Sequence, residues 1–236
     1  MWLTSIAGAF PRVGKGSVGN ELRSVKHTRD EAKIKQLEEE LIREIVILQQ
    51  EAGMDLITDG LVRWDDPVSH FATKWGAWRG DLHHFLGTNF HVRRAVVEKP
   101  LEWVPVIYEE AEFLKTLTKH PLCVLPDAAL LAGYTISSMG AVSRMYSRCL
   151  FSERRSVDVP VVRMFGKCQK YEVIEAVDVH TALMEDPKEV ANEIRKRERS
   201  KKDSLIIPNG SLELLPRKYA VEKMKLLRAI KEELCS

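Results

Sequence analysis

Along the chain, short apolar runs alternate with longer stretches in which apolar residues recur every three or four positions, as expected where strands and helices take turns. Residues 3–7 are a short apolar run broken by Gly8-Ala9-Phe10-Pro11-Arg12, which predicts a strand passing into a loop. Gly14, Gly16 and Gly19 extend that loop to about Ser24. Their spacing fits neither the P-loop nor the dinucleotide fingerprint, so a flexible connection is favoured over a nucleotide site. Over residues 30–52, Ile34, Leu37, Leu41, Ile45 and Leu48 predict a helix with one buried face, stopped by Gly53. The run Glu38-Glu39-Glu40 belongs to its solvated side. Residues 54–58 then predict a buried strand ended by Asp59-Gly60, giving a strand, helix, strand opening.

Further strands are predicted at residues 93–97, 122–125, 159–165, 174–180 and 205–208, about seven in all. Helices are predicted at residues 104–119, from Pro187 through about Arg199, and from Pro216 onward, the last with Val221, Met224, Leu227 and Ile230 on one face. The alternation implies a mostly parallel sheet with helical crossovers. In 236 residues this predicts an α/β, (β/α)8 TIM-barrel-like fold spanning residues 1–236 as a single domain, with a doubly wound open sheet as the alternative. Seven strands are too few for an eight-stranded wall, so the barrel is expected to be shortened or incompletely closed. Open strand edges need covering by a helix, by residues 139–150 or by a second subunit, hence an expected homo-oligomer.

Composition narrows the partners. A hydrophobic fraction of 44%, a charged fraction of 30% and a net charge of +2 provide no global field for nucleic acid or a membrane surface. No stretch approaches the roughly 18 apolar residues of a membrane span, and Arg12 and Lys15 arrive without a signal-peptide core before them. Cys123, Cys149, Cys168 and Cys235 are widely spaced and form no C-x-x-C pair, which reads as free thiols in a reducing cytoplasm.

If the strands are parallel, four polar or turn-rich strand ends open on one face: Phe10-Pro11-Arg12, residues 59–66, Asp178-Val179-His180-Thr181 and Pro208-Asn209-Gly210-Ser211. Asp59, Arg63, Trp64, Asp65 and Asp66 concentrate charge and an indole suited to a polar ligand. The competing structural reading has Asp65 capping a helix and Arg63 pairing with Asp59. Asp178 and His180 alternate with Val177 and Val179, so a carboxylate could orient an imidazole for proton transfer. A purely structural histidine is the competing reading there.

Taken in order, these motifs resemble the C-terminal barrel domain of cobalamin-independent methionine synthase and its shorter archaeal-type relatives. The matching stretches are Ser5-Ile6-Ala7-Gly8-Ala9-Phe10-Pro11-Arg12, residues 52–60 with Arg63-Trp64-Asp65-Asp66-Pro67, and Gly87-Thr88-Asn89-Phe90. Val177-Asp178-Val179-His180-Thr181, residues 208–211, Leu215-Pro216-Arg217, Ala220 and Lys223 complete the set. The resemblance implies a barrel in which zinc holds the homocysteine thiol as a thiolate and a methyl group arrives from methylfolate or a corrinoid. It implies His180, with Asp178, as the proton-handling pair, and Ala7, Ala9, Arg12, Asp59, Arg63, Trp64 and Asp65 as substrate-binding residues.

The chain departs from that pattern at the metal. Val162 and Met164 stand where the family has histidine and cysteine, Pro208-Asn209-Gly210-Ser211 replaces Pro-Asp-Cys-Gly, and Leu61 replaces the usual glutamate. The family's Asp-Glu-Pro strand has no counterpart between Tyr134 and Val159. Zinc is thus expected from the family while its ligands are missing, and no metal ligand is assigned. Recruitment of Cys168 and His180 is outweighed by a buried thiol and a pocket histidine. Two functions follow: a methionine synthase-type methyltransferase acting on a small thiol, or an inactive paralogue serving as a binding or assembly module beside a complete synthase. A zinc-free pocket for a related substrate is a third.

Overall fold

The computed structural model describes residues 1–28, 30–86, 88, 90–164, 167–168, 170–197 and 203–236. In chain order the described elements are β1 (Trp2–Thr4), α1 (Gly19–Val25), α2 (Glu31–Glu51), α3 (Ser69–Ala72), β2 (Trp78–His84), β3 (His91–Val96), α4 (Tyr108–Leu117), β4 (Cys123–Leu125) and α5 (Ala128–Gly133). They continue with β5 (Thr135–Ile136), α6 (Val142–Arg155), β6 (Val161–Arg163), β7 (Lys167–Cys168), β8 (Glu172–Val177), α7 (Pro187–Arg197), β9 (Ser204–Pro208) and α8 (Arg217–Cys235). The chain divides into two compact units: Met1–Val62, Leu114–Val124 and Pro160–Ser236 make the first, Arg63–Phe113 and Leu125–Val159 the second.

In the first unit, β1, β9 and β8 form a parallel sheet in that order, with Trp2 and Glu172 both in register with Ser204. The strand predicted at residues 54–58 is reduced to an isolated parallel bridge between Ile57 and Pro121. Its cause is local. The Asp55 carboxylate takes the Thr4 N–H at 2.8 Å and the Thr4 hydroxyl at 2.9 Å, drawing the segment into side-chain bonds where a regular ladder would run. The segment still lies between β1 and β4. Leu56 N–H donates to the Thr4 carbonyl, Ile57 N–H to His120, Leu122 N–H to Ile57, and Cys123 N–H to Pro160 just before β6. Neighbouring segments therefore run in the order β8, β9, β1, residues 55–57, β4, β6.

These segments are held by helices. Asp30 caps α2 by accepting the Lys33 N–H at 3.0 Å, and Leu37, Leu41 and Ile45 of the predicted face are buried together with Ile42. Each such side chain contributes about 1.5–3 kcal/mol when fully buried. Gly53 ends the helix at φ +79°, a left-handed conformation that favours glycine. Helix α8 turns Ala220, Met224, Leu227 and Ile230 inward and packs on β1, β8, β9 and α7.

The second unit departs most from expectation. Strand β2 was not predicted; it pairs antiparallel with β3, and β3 pairs parallel with β5. All but one residue of β2 is exposed, so it shows no apolar alternation to read. Its core is aromatic: Trp64 meets Phe71 edge-on at 4.8 Å, Phe71 meets Trp75 at 5.4 Å, and Trp75 meets Tyr146 at 6.4 Å.

The expected α/β class is present as a mixed arrangement, with three three-stranded sheets among the described residues and antiparallel pairs at β2–β3 and β6–β7 that the mostly parallel expectation did not include. No closed barrel is formed among the described residues, and β8 is laddered to β9 alone. Residues 19–25, expected as loop, form α1. Gly87, Asn89 and Arg199, and residue 165 at the end of a predicted strand, lie outside the described residues. Among the described residues no helix is long and apolar enough to cross a membrane.

Candidate functional site

In the first unit β8 ends at Val177, and Asp178 and His180 occupy the turn that follows. The expected pairing is present, but it comes from the turn and not from strand alternation. Asp178 Oδ1 accepts the His180 N–H at 3.1 Å and lies 2.9 Å from His180 Nδ1. A carboxylate accepts, so Nδ1 carries the hydrogen and Nε2 is left to exchange a proton. The imidazole side chain is 61% exposed, within reach of a ligand.

Asp178 is itself clamped. Asn209 Nδ2 donates to Oδ1 at 3.0 Å, while Asn209 Oδ1 accepts the Val179 N–H at 2.9 Å, joining the loops after β8 and β9. The Asp178 N–H donates to Glu185 at 2.7 Å, and Glu185 accepts Lys223 Nζ at 2.7 Å. Lys223 is fully buried in α8 and also donates to the Leu183 carbonyl. Sequence reading quoted Asn209 and Lys223 among the family matches and gave neither a role. A fully buried lysine facing a loop carboxylate requires tertiary placement to be recognised.

The Asn209 amide, followed by the His180 N–H, holds the Asp178 carboxyl down at about 2. The folded value lies below the ordinary carboxylate range, so the stabilisation is present above that range and is lost as pH falls toward 2. Asp178 is 44% exposed, which limits the term to less than about 1 kcal/mol. Asp178→Asn is expected to flatten the loss of stability between about pH 4 and 2, measured as urea midpoints over that range.

The loop after β1 approaches the same region. Ala9 N–H donates to Ser211 Oγ at 3.2 Å, and the Ala9 carbonyl accepts the Glu213 N–H at 3.0 Å. A Cβ on Gly8 would come within 2.6 Å of that hydroxyl, so only glycine permits the approach. Phe10 N–H donates to Gly60, Arg12 donates to the Leu61 carbonyl at 3.1 Å, and Asp59 Oδ1 accepts the Leu61 N–H at 3.0 Å. Leu61 is held at φ +55°, costly for a branched side chain, by these contacts. Arg217 secures the loop from α8, donating to the Pro11 carbonyl at 2.6 Å, pairing with Glu44 and lying over Phe10. Burial raises the Glu213 carboxyl against the pull of Arg12. Ala7 and Ala9 are buried beside Ser5 and Phe10. The structure therefore connects the loops carrying Ala7, Ala9, Arg12 and Asp59 to that of Asp178 and His180 through residues 209–213.

A cavity of about 770 Å³ opens along β8 and α7 and reaches Asp178, Glu185 and Asn209. Its size is that of small-molecule sites, and Glu175, Glu189 and Glu193 make it acidic.

Arg63, Trp64 and Asp65 belong to the second unit and are placed by its contacts. The Arg63 guanidinium lies 5.3 Å from the centre of the Phe113 ring. Trp64 is buried, donates to Glu110 at 3.2 Å and stacks on His70 at 5.2 Å. Burial works to raise the Glu110 carboxyl, but His70 Nε2, 3.3 Å away, and the bond from Trp64 hold it below the ordinary range. Asp65 pairs with Arg79 at 3.1 Å on the surface. Asp66, one position later, accepts the Val68 and Ser69 N–H groups at the start of α3.

The donor set does not fit the zinc implied by the resemblance. Val162 is fully buried and apolar, Met164 is buried, and Gly210 has no side chain to offer. Ser211 Oγ is occupied by the Ala9 N–H, and Cys168 Sγ donates to the Val161 carbonyl at 3.3 Å. Burial pushes the Cys149 thiol up to about 11, away from the thiolate that ligation needs. Among the described residues no three histidine, cysteine or acidic side chains are grouped to hold a metal ion.

No protein-family model matches the chain, and no curated protein matches it in sequence. In structure it is similar to a B12-independent methionine synthase from Shewanella sp. W3-18-1 in complex with selenomethionine, with TM-score 0.74 and 14% identity over 97% of this chain and 96% of that one. It is also similar to a candidate vitamin-B12 independent methionine synthase from Listeria monocytogenes, with TM-score 0.64 and 12% identity over 97% and 96%. Along nearly its whole length, the chain has the fold of the cobalamin-independent methionine synthases.

Proposed function

We propose that this chain is a methionine synthase-type methyltransferase homologue that binds a small thiol amino acid such as homocysteine, with a pocket built by the loops of Ala7, Ala9, Arg12, Asp59, Asp178 and His180. The observation that carries the reading is the hydrogen-bonded Asp178–His180 pair, clipped by Asn209, in a fold shared with B12-independent methionine synthases. In methyl transfer a bond forms from sulfur to the methyl carbon as the bond from carbon to the donor breaks, and the departing group takes a proton. His180 Nε2, left bare while Asp178 holds the Nδ1–H, is the group suited to take the thiol proton and pass it to the departing group. No step is assigned to zinc, whose donor set does not fit.

The reading extends the mixed α/β fold to a barrel-type domain over residues 1–236, working in the cytoplasm as a homo-oligomer and taking methyl from a methylfolate or corrinoid donor. A second reading, an inactive paralogue that binds ligand or assembles with a complete synthase, is favoured by Val162, Met164 and Gly210 at the metal positions.

Calorimetric titration of the purified chain with homocysteine and with methylfolate, alongside elemental analysis, tests both. Homocysteine binding that weakens at least tenfold in His180→Ala is expected, without stoichiometric zinc. Methionine formation by the chain alone would end the inactive reading. Failure to bind either compound would end the first.

A further inference from the structure

The second unit carries a chemical feature unrelated to methyl transfer. Strand β2 is exposed along nearly its whole length, and its last residue, His84, sits directly opposite His91, the first of β3. The Phe85 N–H donates to the Phe90 carbonyl at 2.8 Å, which makes His84 and His91 a non-hydrogen-bonded cross-strand pair. In that position the two side chains emerge closest together. Their ring centres are 4.4 Å apart and the planes are inclined by 43°.

We propose that His84 and His91 form a two-imidazole site for a divalent first-row transition ion. Three observations carry it. The first is the spacing. With metal–nitrogen bonds of about 2.0 Å and roughly 1.1 Å more to each ring centre, two imidazoles at a right angle on one ion have centres about 4.4 Å apart. The observed separation is that of a right-angled pair, the arrangement found in tetragonal Cu(II) and Ni(II) sites.

The second is the hydrogen position on His84. Its Nδ1 lies 3.3 Å from the Thr88 carbonyl oxygen, which can only accept. The hydrogen is therefore on Nδ1, and Nε2 keeps its lone pair. A backbone carbonyl in this role is the usual support for a metal-bound histidine.

The third is the surroundings. Arg93, the next residue on the same face of β3, donates its guanidinium to the Gly80 carbonyl at 3.1 Å. His83 points to the other face, where its ring meets Tyr134 at 5.9 Å. Two imidazoles thus hold the ion, and water or an added ligand completes its shell. Among the divalent ions, affinity for such a nitrogen pair is greatest for copper.

Titration of the full chain with Cu²⁺ alone, followed by calorimetry and electron paramagnetic resonance, tests the site. One ion per chain with coupling to two nitrogens is expected. Its affinity should fall at least tenfold in His84→Ala and in His91→Ala and stay unchanged in His83→Ala. His84→Gln and His91→Gln, which keep the bulk and polarity of the surface, should behave like the alanine variants and guard against a misfolded hairpin. Equal affinity in the wild type and the His84 and His91 variants, or an equal loss in His83→Ala, would overturn the assignment.

Discussion

Replacing Lys223 with methionine is expected to lower folding stability by about 3 kcal/mol, because removing one member of a buried ion pair leaves the other without its charge partner. Lys223 is wholly buried and donates to both the Glu185 carboxylate and the Leu183 carbonyl. Glu185 is 25% exposed, so water recovers part of the loss and the lower end of the range applies. The effect should also reach the turn after β8. Glu185 holds the Asp178 N–H, and Asp178 holds His180. The methionine variant is therefore expected to broaden the His180 ring resonances, while Glu185→Gln, which keeps the shape and one acceptor, costs about 1 kcal/mol. Equilibrium urea unfolding checks the energies. A variant within about 0.5 kcal/mol of wild type would mean that Lys223 does not anchor the turn.

The largest effect outside that network is expected at Glu153 in α6. Its side chain is fully buried and accepts the Val106 N–H at 2.7 Å, the Ile107 N–H at 2.6 Å and the Trp103 indole N–H at 2.9 Å. One carboxylate thus satisfies two backbone donors at the start of α4 and ties in the segment before it. Glu153→Ala strands three donors and leaves a void, a loss of about 4 kcal/mol. Glu153→Gln turns an amide toward one of those donors and is expected to cost about 2 kcal/mol. Burial, with Glu110 nearby, raises the Glu153 carboxyl in spite of its hydrogen bonds. Since the folded value exceeds the unfolded one, stability from this group is greatest at low pH and declines as pH rises through the ordinary carboxylate range toward the raised value. The glutamine variant should lack that decline, as denaturation midpoints at several pH values would show.

Legibility in the sequence followed physical visibility. Helix α2 was predicted within a residue at each end, because five apolar side chains recur on one face and Asp30 and Gly53 mark its limits. Strand β9 was found because it is a buried apolar run, whereas β8 was found only in part: Glu175 interrupts its apolar residues, and the predicted strand at 174–180 ran into the turn after Val177. The segment at residues 54–58 has the composition of a strand but not its ladder, since Asp55 spends its carboxylate on Thr4. Strand β2 was invisible because exposure removes the alternation on which the prediction rests. At the candidate site the Asp178–His180 pairing was expected from strand alternation, but it is the turn after Val177 that brings the two together. Asn209, Glu185 and Lys223 were not, because their partners lie 31, 7 and 38 residues away and become neighbours only in the fold.

The pairing of β1 with β9 has a consequence for biosynthesis. Trp2 to Thr4 find their ladder partners at Ser204 to Ile206, and the Met1 ammonium meets Asp203 at 2.9 Å. As the ribosome extends the chain, the first strand waits through some two hundred residues before its mate emerges, and closing so long a loop is slow. Until then its apolar edge is available to other nascent chains, a period in which a holding chaperone has a natural client.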